Sequence, residues 1–236
     1  EDDGMQDAKE LCESEGLFLR PFSVRVIEVM LYNYEADHLL VKLLEYGDLL
    51  DKLIVVEART DFNFVPKPLG FALIKHLPVW RRWLHVLDHG EMECYDDSER
   101  GKEKRVEARR GSHPFAWEQD NFGRAAAFHR LAQLQLDPGD VVIMADADEI
   151  LARRTVRLLA ECHLSADETT LLSGRLEMEG MRYNFNCRST YDWISVTALS
   201  WHAIQTLGAK ALGRARLTNV YQEYIGGGNL AFNQLH

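Results

Sequence analysis

Hydrophobic positions change their spacing several times along the chain, and each spacing predicts a different element. Apolar runs and alternating patterns, which are typical of strands, are followed by apolar residues three or four positions apart, which are typical of helices. The predicted strands cover residues 24–31, 53–56, 83–87, 140–145 and 170–176, and the predicted helices cover residues 39–44, 70–76, 117–135, 154–162 and 201–212. This order predicts an α/β fold in which helices flank a mostly parallel central sheet.

Two segments depart from this pattern. Residues 1–20 are acidic and only weakly periodic, which is typical of either a leader helix or a frayed arm. Residues 88–113 mix acidic and basic side chains around several glycines, which favours a mobile charged loop over a basic binding patch. With 236 residues, no internal repeat and no clear linker, the chain is expected to form a single domain over residues 1–236.

The composition excludes some classes of partner. The formal net charge is −10, so the surface as a whole repels nucleic acid and anionic lipid, and an anionic substrate needs a local cation in its site. No run of 18 apolar residues occurs, so no membrane span is expected within the chain. The four cysteines form no Cys-x-x-Cys pair, which argues against a structural zinc site, but they leave three disulfide pairings, or none, open.

The clearest chemical signal follows the most apolar predicted strand. Residues 141–145 run directly into Asp146, Ala147, Asp148 and Glu149. Ligands bind outside the carboxyl ends of strands in open α/β sheets, and side chains two positions apart in extended backbone point the same way. Asp146 and Asp148 therefore suit Mn²⁺ or Mg²⁺, which prefer oxygen ligands and would neutralise a diphosphate leaving group. The alternative is that an aspartate here only caps the next helix.

Two further positions are candidates for contact with a nucleotide. Glu57 and Arg59 end the strand at 53–56, on the same sheet edge as Asp146 if the strands are parallel, where they could read a nucleobase and ribose. A solvated loop is the alternative. Arg124 shares the apolar face of the helix at 117–135 and needs an anionic partner there, either a diphosphate or a structural carboxylate such as Asp120 or Glu118.

Several blocks of sequence, in consistent order between about residues 24 and 200, resemble glycosyltransferase family 17. The blocks are Leu31-Tyr32-Asn33-Tyr34-Glu35-Ala36-Asp37, residues 39–44, Val55-Val56-Glu57-Ala58, Pro66-Lys67-Pro68-Leu69, Trp117-Glu118-Gln119-Asp120-Asn121-Phe122-Gly123-Arg124, and residues 140–150 with the metal motif Asp146-Ala147-Asp148-Glu149-Ile150. Several blocks in order are far more specific than any one of them.

The resemblance implies a GT-A-type (Rossmann-like) fold and an inverting transferase that moves GlcNAc from UDP-GlcNAc to a mannose of an N-glycan. It also implies a divalent metal, and a Golgi enzyme that is a single-pass type II membrane protein with its anchor upstream of residue 1. By the same resemblance, Asp146 and Asp148 would hold the metal and diphosphate, Glu57 would lie near the nucleotide, and Arg124 would lie near the donor sugar nucleotide.

One stretch departs from the family. Its members carry Gly-Trp-His shortly before an aromatic-Gly-Gly turn near the end, whereas residues 219–227 here lack the Trp and His. The substrate differs, the C-terminal site is altered, or a segment is missing. The catalytic base is not identified by the sequence, and Glu179 and Glu223 are the candidates. The rival functions are a metal-dependent phosphoesterase or nucleotidyltransferase that uses the same acids, and a non-catalytic glycan-binding or partner-binding protein on a degenerate glycosyltransferase fold.

Overall fold

A central sheet of six strands organises the computed structural model, which describes residues 2–59, 66–91, 114–163, 173–178 and 193–208. The strands are β1 (Phe18–Leu19), β2 (Val26–Tyr32), β3 (Lys52–Glu57), β4 (Leu87–Glu91), β5 (Val141–Asp146), β6 (Cys162–His163), β7 (Ser173–Met178) and β8 (Trp193–Ser200). The order in the central sheet is β4-β3-β2-β5-β8-β7, and β1 pairs with β6 separately. The first four strands of that order are parallel, and β8 runs antiparallel to both of its neighbours.

Helices cover both faces of the sheet. They are α1 (Asp2–Ser14), α2 (Ala36–Tyr46), α3 (Gly70–Ile74), α4 (Pro114–Gln133), α5 (Arg153–Glu161) and α6 (Trp201–Leu207), with 3₁₀ turns at Gly47–Leu49 and Pro78–Trp83. Apolar side chains of α2, α3 and α5 share one core cluster with the sheet, and those of α4 and α6 share the other. Because β2, β3 and β5 are buried on both faces, they read as near-continuous apolar runs. The predicted α/β fold is confirmed.

The strand predicted at residues 83–87 is wrong in its position. Residues 78–83 form a 3₁₀ turn that begins with Pro78, and the strand starts at Leu87. Trp80 and Trp83 are nevertheless buried, and the amide of Val86 donates to the carbonyl of Trp83. The apolar residues that looked like a strand therefore pack onto the sheet from a turn.

The predicted charged loop begins too early, because residues 88–91 belong to β4. The rest of that segment, residues 92–113, lies outside the described part of the chain. The helix predicted at 201–212 is described as far as Leu207, and Gly208 follows it with a φ of 75°. Within the described ranges, no helix combines the length and the apolar character that crossing a membrane requires.

The N-terminal segment forms a helix and a short strand rather than a frayed arm. A disulfide joins Cys12 of α1 to Cys162 at the end of α5. Asp7 of the same helix accepts a hydrogen bond from Arg157, and β1 pairs with β6 next to the disulfide. Of the cysteine pairings that the sequence left open, the structure shows this one, and Cys94 and Cys187 lie outside the described residues.

Candidate functional site

Parallel strands bring the predicted site residues to one edge of the sheet. In the strand register, Tyr32 of β2 lies beside Glu57 of β3, and Leu31 lies beside Asp146 of β5. The chain leaves β2 toward β3 and β4 on one side, whereas β5 lies on the other side of β2. The crevice between the ends of β2 and β5 is thus the topological switch point, where open α/β sheets bind ligands. The expectation that Glu57 and Asp146 share an edge is confirmed.

Residues 146–149, which we call the acidic turn, carry three carboxylates that differ in their surroundings. Glu149 is buried, and its Oε2 accepts a hydrogen bond of 2.7 Å from the backbone amide of Asp146. In return, the amide of Glu149 donates to the carbonyl of Asp146. Asp148 is exposed at the tip of the turn, and its side chain contacts no hydrogen-bond or ion-pair partner in the described ranges. The hydrogen bonds of Glu149 therefore stabilise the turn, whereas Asp148 exposes its carboxylate to solvent.

Neither aspartate caps the following helix. Helix α5 begins at Arg153, its N-cap position is Ala152, and no side chain accepts a capping hydrogen bond there. The alternative in which the acids serve only as a helix cap is wrong, because four residues separate Asp148 from the start of the helix.

Arg124 reaches the site from the opposite face of the sheet to α2. Its side chain is completely buried, and Nη2 donates to Oδ1 of Asp146 at 2.5 Å, while the Asp146 side chain stays 36% exposed. The inward direction predicted for Arg124 is confirmed, but sequence reasoning did not name Asp146 as its partner. The pairing holds the Asp146 carboxylate in place and adds a positive charge at this edge.

A buried ion pair lies under the acidic turn, and sequence reasoning missed it. Lys42 of α2 and Glu28 of β2 are both fully buried, with Nζ 2.5 Å from Glu28 Oε1. Lys42 also donates to the backbone carbonyl of Asp146 at 2.9 Å. A signal was available in the sequence. Lys42 falls on the stripe formed by Leu39, Leu43 and Tyr46, and Glu28 interrupts an apolar strand. Charges at core positions are rarely buried without a partner.

The carboxylate of Glu57 forms hydrogen bonds with neighbouring elements of the fold. The carboxylate is fully buried, accepts hydrogen bonds from the amides of Phe71 and Ala72 at the start of α3, and lies 3.1 Å from Nε2 of His89. Burial alone would raise the pKa of Glu57, but the bonds from His89 and the two amides outweigh it and hold that pKa below its ordinary value. These contacts tie β3, α3 and β4 together. Contact between Glu57 and a nucleotide stays a prediction.

An aromatic loop follows β2 at the same edge of the sheet. Tyr34 has a φ of 78°, its hydroxyl donates to the carbonyl of Pro68, and its ring lies 4.9 Å from the ammonium of Lys67. The ring also packs directly against Gly70, where a Cβ would approach it to 2.5 Å. Arg59 is exposed nearby, and its carbonyl accepts a hydrogen bond from the amide of Lys67. Sequence reasoning did not select Tyr34 or Lys67 as site residues.

The acidic turn fits a divalent cation as a partial ligand set. Carboxylate oxygens from Asp146 and Asp148 are of the type that Mg²⁺ and Mn²⁺ prefer, and the exposed Asp148 has no internal partner to give up within the described ranges. In the same ranges, no three His, Cys, Asp or Glu side chains gather into a group that could hold an ion alone. Any ion here would take its remaining ligands from water and diphosphate. Glu179 and Glu223, the predicted bases, lie outside the described residues.

Comparison with known families completes the picture of the site. The family model described as Glycosyltransferase family 17 matches residues 2–203. That range contains the acidic turn, Arg124, Glu57 and Lys42, and it ends before the departing stretch at 219–227. No curated protein matches the chain. The mostly parallel sheet with its flanking helices is GT-A-like, as expected for such an enzyme. Since the match spans most of its length, this chain belongs to glycosyltransferase family 17 and is a glycosyltransferase.

Proposed function

We propose that this glycosyltransferase moves GlcNAc from UDP-GlcNAc to a mannose of an N-glycan, with Mn²⁺ or Mg²⁺ at the acidic turn. Membership of the family supports a sugar donor and a glycan acceptor. The observation that carries the finer proposal is the exposed Asp148 carboxylate beside the Arg124–Asp146 pair, at the switch point of the sheet. This arrangement suits a metal-bound diphosphate.

Asp146 and Asp148 of the turn, together with Arg124, have distinct parts in the proposed reaction. Asp148, with the exposed side of Asp146, would hold the ion, which would neutralise the negative charge that grows on the diphosphate as its bond to the sugar breaks. Arg124 keeps the Asp146 carboxylate fixed and offsets part of its charge. An acceptor hydroxyl forms the new bond to the anomeric carbon from the opposite face. A carboxylate, Glu179 or Glu223 as predicted from sequence, takes the proton of that hydroxyl.

The disulfide supports a compartment for this activity. Disulfides persist in oxidising environments such as the lumen of the secretory pathway and are rare in the cytosol. The Cys12–Cys162 bond therefore favours the proposal that this enzyme works in the Golgi lumen. Mapping of cysteines in protein isolated from cells, with free thiols blocked at lysis, should recover the Cys12–Cys162 peptide pair. Recovery of both cysteines as free thiols would oppose this location.

Binding of UDP tests the site directly. Calorimetric titration with UDP should show binding that requires Mn²⁺ or Mg²⁺ and is lost in Asp148→Asn, because that variant removes the exposed charge without changing the shape of the side chain. Asp51→Asn is the matched control, since Asp51 is also exposed but precedes β3 at the opposite edge of the sheet. Equal UDP affinity with and without metal, or in Asp148→Asn and wild type, would refute the metal site.

Product analysis tests the reaction. Incubation with UDP-GlcNAc, Mn²⁺ and a mannose-terminated N-glycan should add one GlcNAc to the glycan, which mass spectrometry detects. Rapid phosphate release without an acceptor would favour the phosphoesterase. Metal-dependent UDP binding without transfer to any glycan acceptor would favour a non-catalytic binding protein.

A further inference from the structure

The peptide group between Asp146 and Ala147 is held from two sides. Strand β8 pairs with β5 only from Val141 to Met144, so Asp146 lies beyond the last rung of that ladder. Its carbonyl accepts hydrogen bonds from the amide of Glu149 and from the ammonium of Lys42. The orientation of this peptide group sets the direction in which the chain continues to Asp148. A donor on the Asp146 carbonyl therefore acts on the position of the next aspartate.

We propose that Lys42 is a positioning residue for the acidic turn, with Glu28 as the counter-ion that holds its ammonium in place. This inference rests on the proposed function, because it assigns Lys42 a role toward the ion that Asp146 and Asp148 would hold. Lys42 and Glu28 are fully buried, so the ammonium itself does not touch substrate from solvent. It acts through the backbone of Asp146.

A purely structural role explains less of what is seen. A buried ion pair is a weak source of stability, because the desolvation of both charges offsets most of their attraction, and apolar residues of similar volume often pack equally well. Met or Leu at these positions would extend the apolar cluster that Leu39, Leu43 and Met30 already form. What an apolar pair would lose is the hydrogen bond to the Asp146 carbonyl. Groups that orient metal ligands typically change metal affinity by about 10- to 100-fold when they are removed.

The role of the Lys42–Glu28 ion pair cannot be tested by removing one of its two partners alone. The Glu28 carboxylate lies beside the buried Tyr46, whose pKa is raised well above its usual value by burial and then by the charge of Glu28. Removing Lys42 alone would leave a carboxylate buried in apolar surroundings without its cation, which is strongly destabilising. A test of positioning must therefore remove both charges together.

The test is a pair of double variants measured by Mn²⁺ binding. Glu28→Met with Lys42→Met should fold, and Glu28→Gln with Lys42→Met keeps a polar group beside Tyr46 if the first variant does not. Electron paramagnetic resonance of free Mn²⁺, titrated with protein at saturating UDP, should show about 10- to 100-fold weaker Mn²⁺ affinity in the double variant. Thermal unfolding without ligand, monitored by circular dichroism, reports whether the fold is retained.

The matched control changes an ion pair at the other end of the same strand. Arg25 donates to the buried Asp140, which directly precedes β5. Arg25→Met should lower the unfolding temperature and leave Mn²⁺ affinity unchanged. Wild-type Mn²⁺ affinity in the double variant would overturn the positioning role. So would an equal loss of affinity in Arg25→Met, because the effect would then follow general destabilisation. Absence of Mn²⁺ binding in the wild-type protein would instead overturn the proposed function and this inference with it.

Discussion

Removing the Cys12–Cys162 disulfide is expected to lower the stability of the protein more than any surface change. The two cysteines are 150 positions apart, their Cα atoms are separated by 5.6 Å, and both side chains are buried. A cross-link that closes a loop of this length restricts the unfolded chain, which corresponds to about 5 kcal/mol in the chain-entropy description. Native disulfides typically contribute roughly 2–5 kcal/mol when measured, a large share of the roughly 5–15 kcal/mol that stabilises a domain.

The assay is urea unfolding of Cys12→Ala with Cys162→Ala, followed by circular dichroism. We expect the free energy of unfolding to fall by about 3–5 kcal/mol relative to wild type. Asp7→Asn is the control on the same helix, because it removes only the ion pair with Arg157, in which Asp7 is 66% exposed. An exposed pair of this kind contributes less than about 1 kcal/mol. A loss below about 1 kcal/mol in the cysteine variant would refute the reasoning, since the loop length would then have no measurable effect on stability.

Two further predictions concern the contacts around Glu57 and Gly70, beside the end of β3. Because the pKa of Glu57 is lowered in the fold, its ionised form stabilises the protein at neutral pH, and this stabilisation is lost as the pH falls below the ordinary glutamate range. Glu57→Gln should therefore flatten the decrease in melting temperature between about pH 5 and pH 3. An unchanged slope would contradict this. Gly70→Ala would place a Cβ 2.5 Å from the Tyr34 ring and should lower stability by roughly 1–3 kcal/mol in urea unfolding. The matched Gly4→Ala has open space in helix α1 and should be neutral or slightly stabilising, and equal effects at both positions would contradict the packing argument.

Sequence patterns predicted the layers of the fold because the burial of each strand or helix determines where apolar residues occur along that segment. Strands β2, β3 and β5 are covered on both faces, and strands buried in this way have near-continuous apolar sequences. The same reasoning placed the acidic turn at a strand end, since polar residues begin where the cover of helices stops. The pattern could not tell that β8 runs antiparallel, because a strand reads alike in both directions. It also mistook Trp83 and Val86 for a strand, since both are buried from a turn.

Long-range pairings were beyond the reach of sequence patterns for a physical reason. The partners of Arg124 and Lys42 at Asp146 lie 22 and 104 positions away, and Cys12 and Cys162 lie 150 positions apart. Such distances in sequence are set by the topology of the sheet, which a local pattern does not contain. The family resemblance selected the acidic turn as the metal motif, which stays a prediction, and it gave Asp146 and Asp148 the same part. In the structure, Asp146 is held by Arg124, whereas Asp148 is exposed.

The balance of charge at the acidic turn gives a reason for this division of parts. Lys42 pairs with Glu28 and Arg124 pairs with Asp146, whereas the exposed Asp148 has no cationic partner among the described residues. A divalent cation at Asp148 would supply that positive charge, and in a chain of net charge −10 it would also make the approach of a diphosphate favourable. Because Glu28, Glu149 and Asp146 are already engaged, Asp148 is the carboxylate of this group that is most accessible to such an ion. Neutralising Asp148 should therefore weaken Mn²⁺ binding more than any equal change of charge elsewhere on the exposed surface.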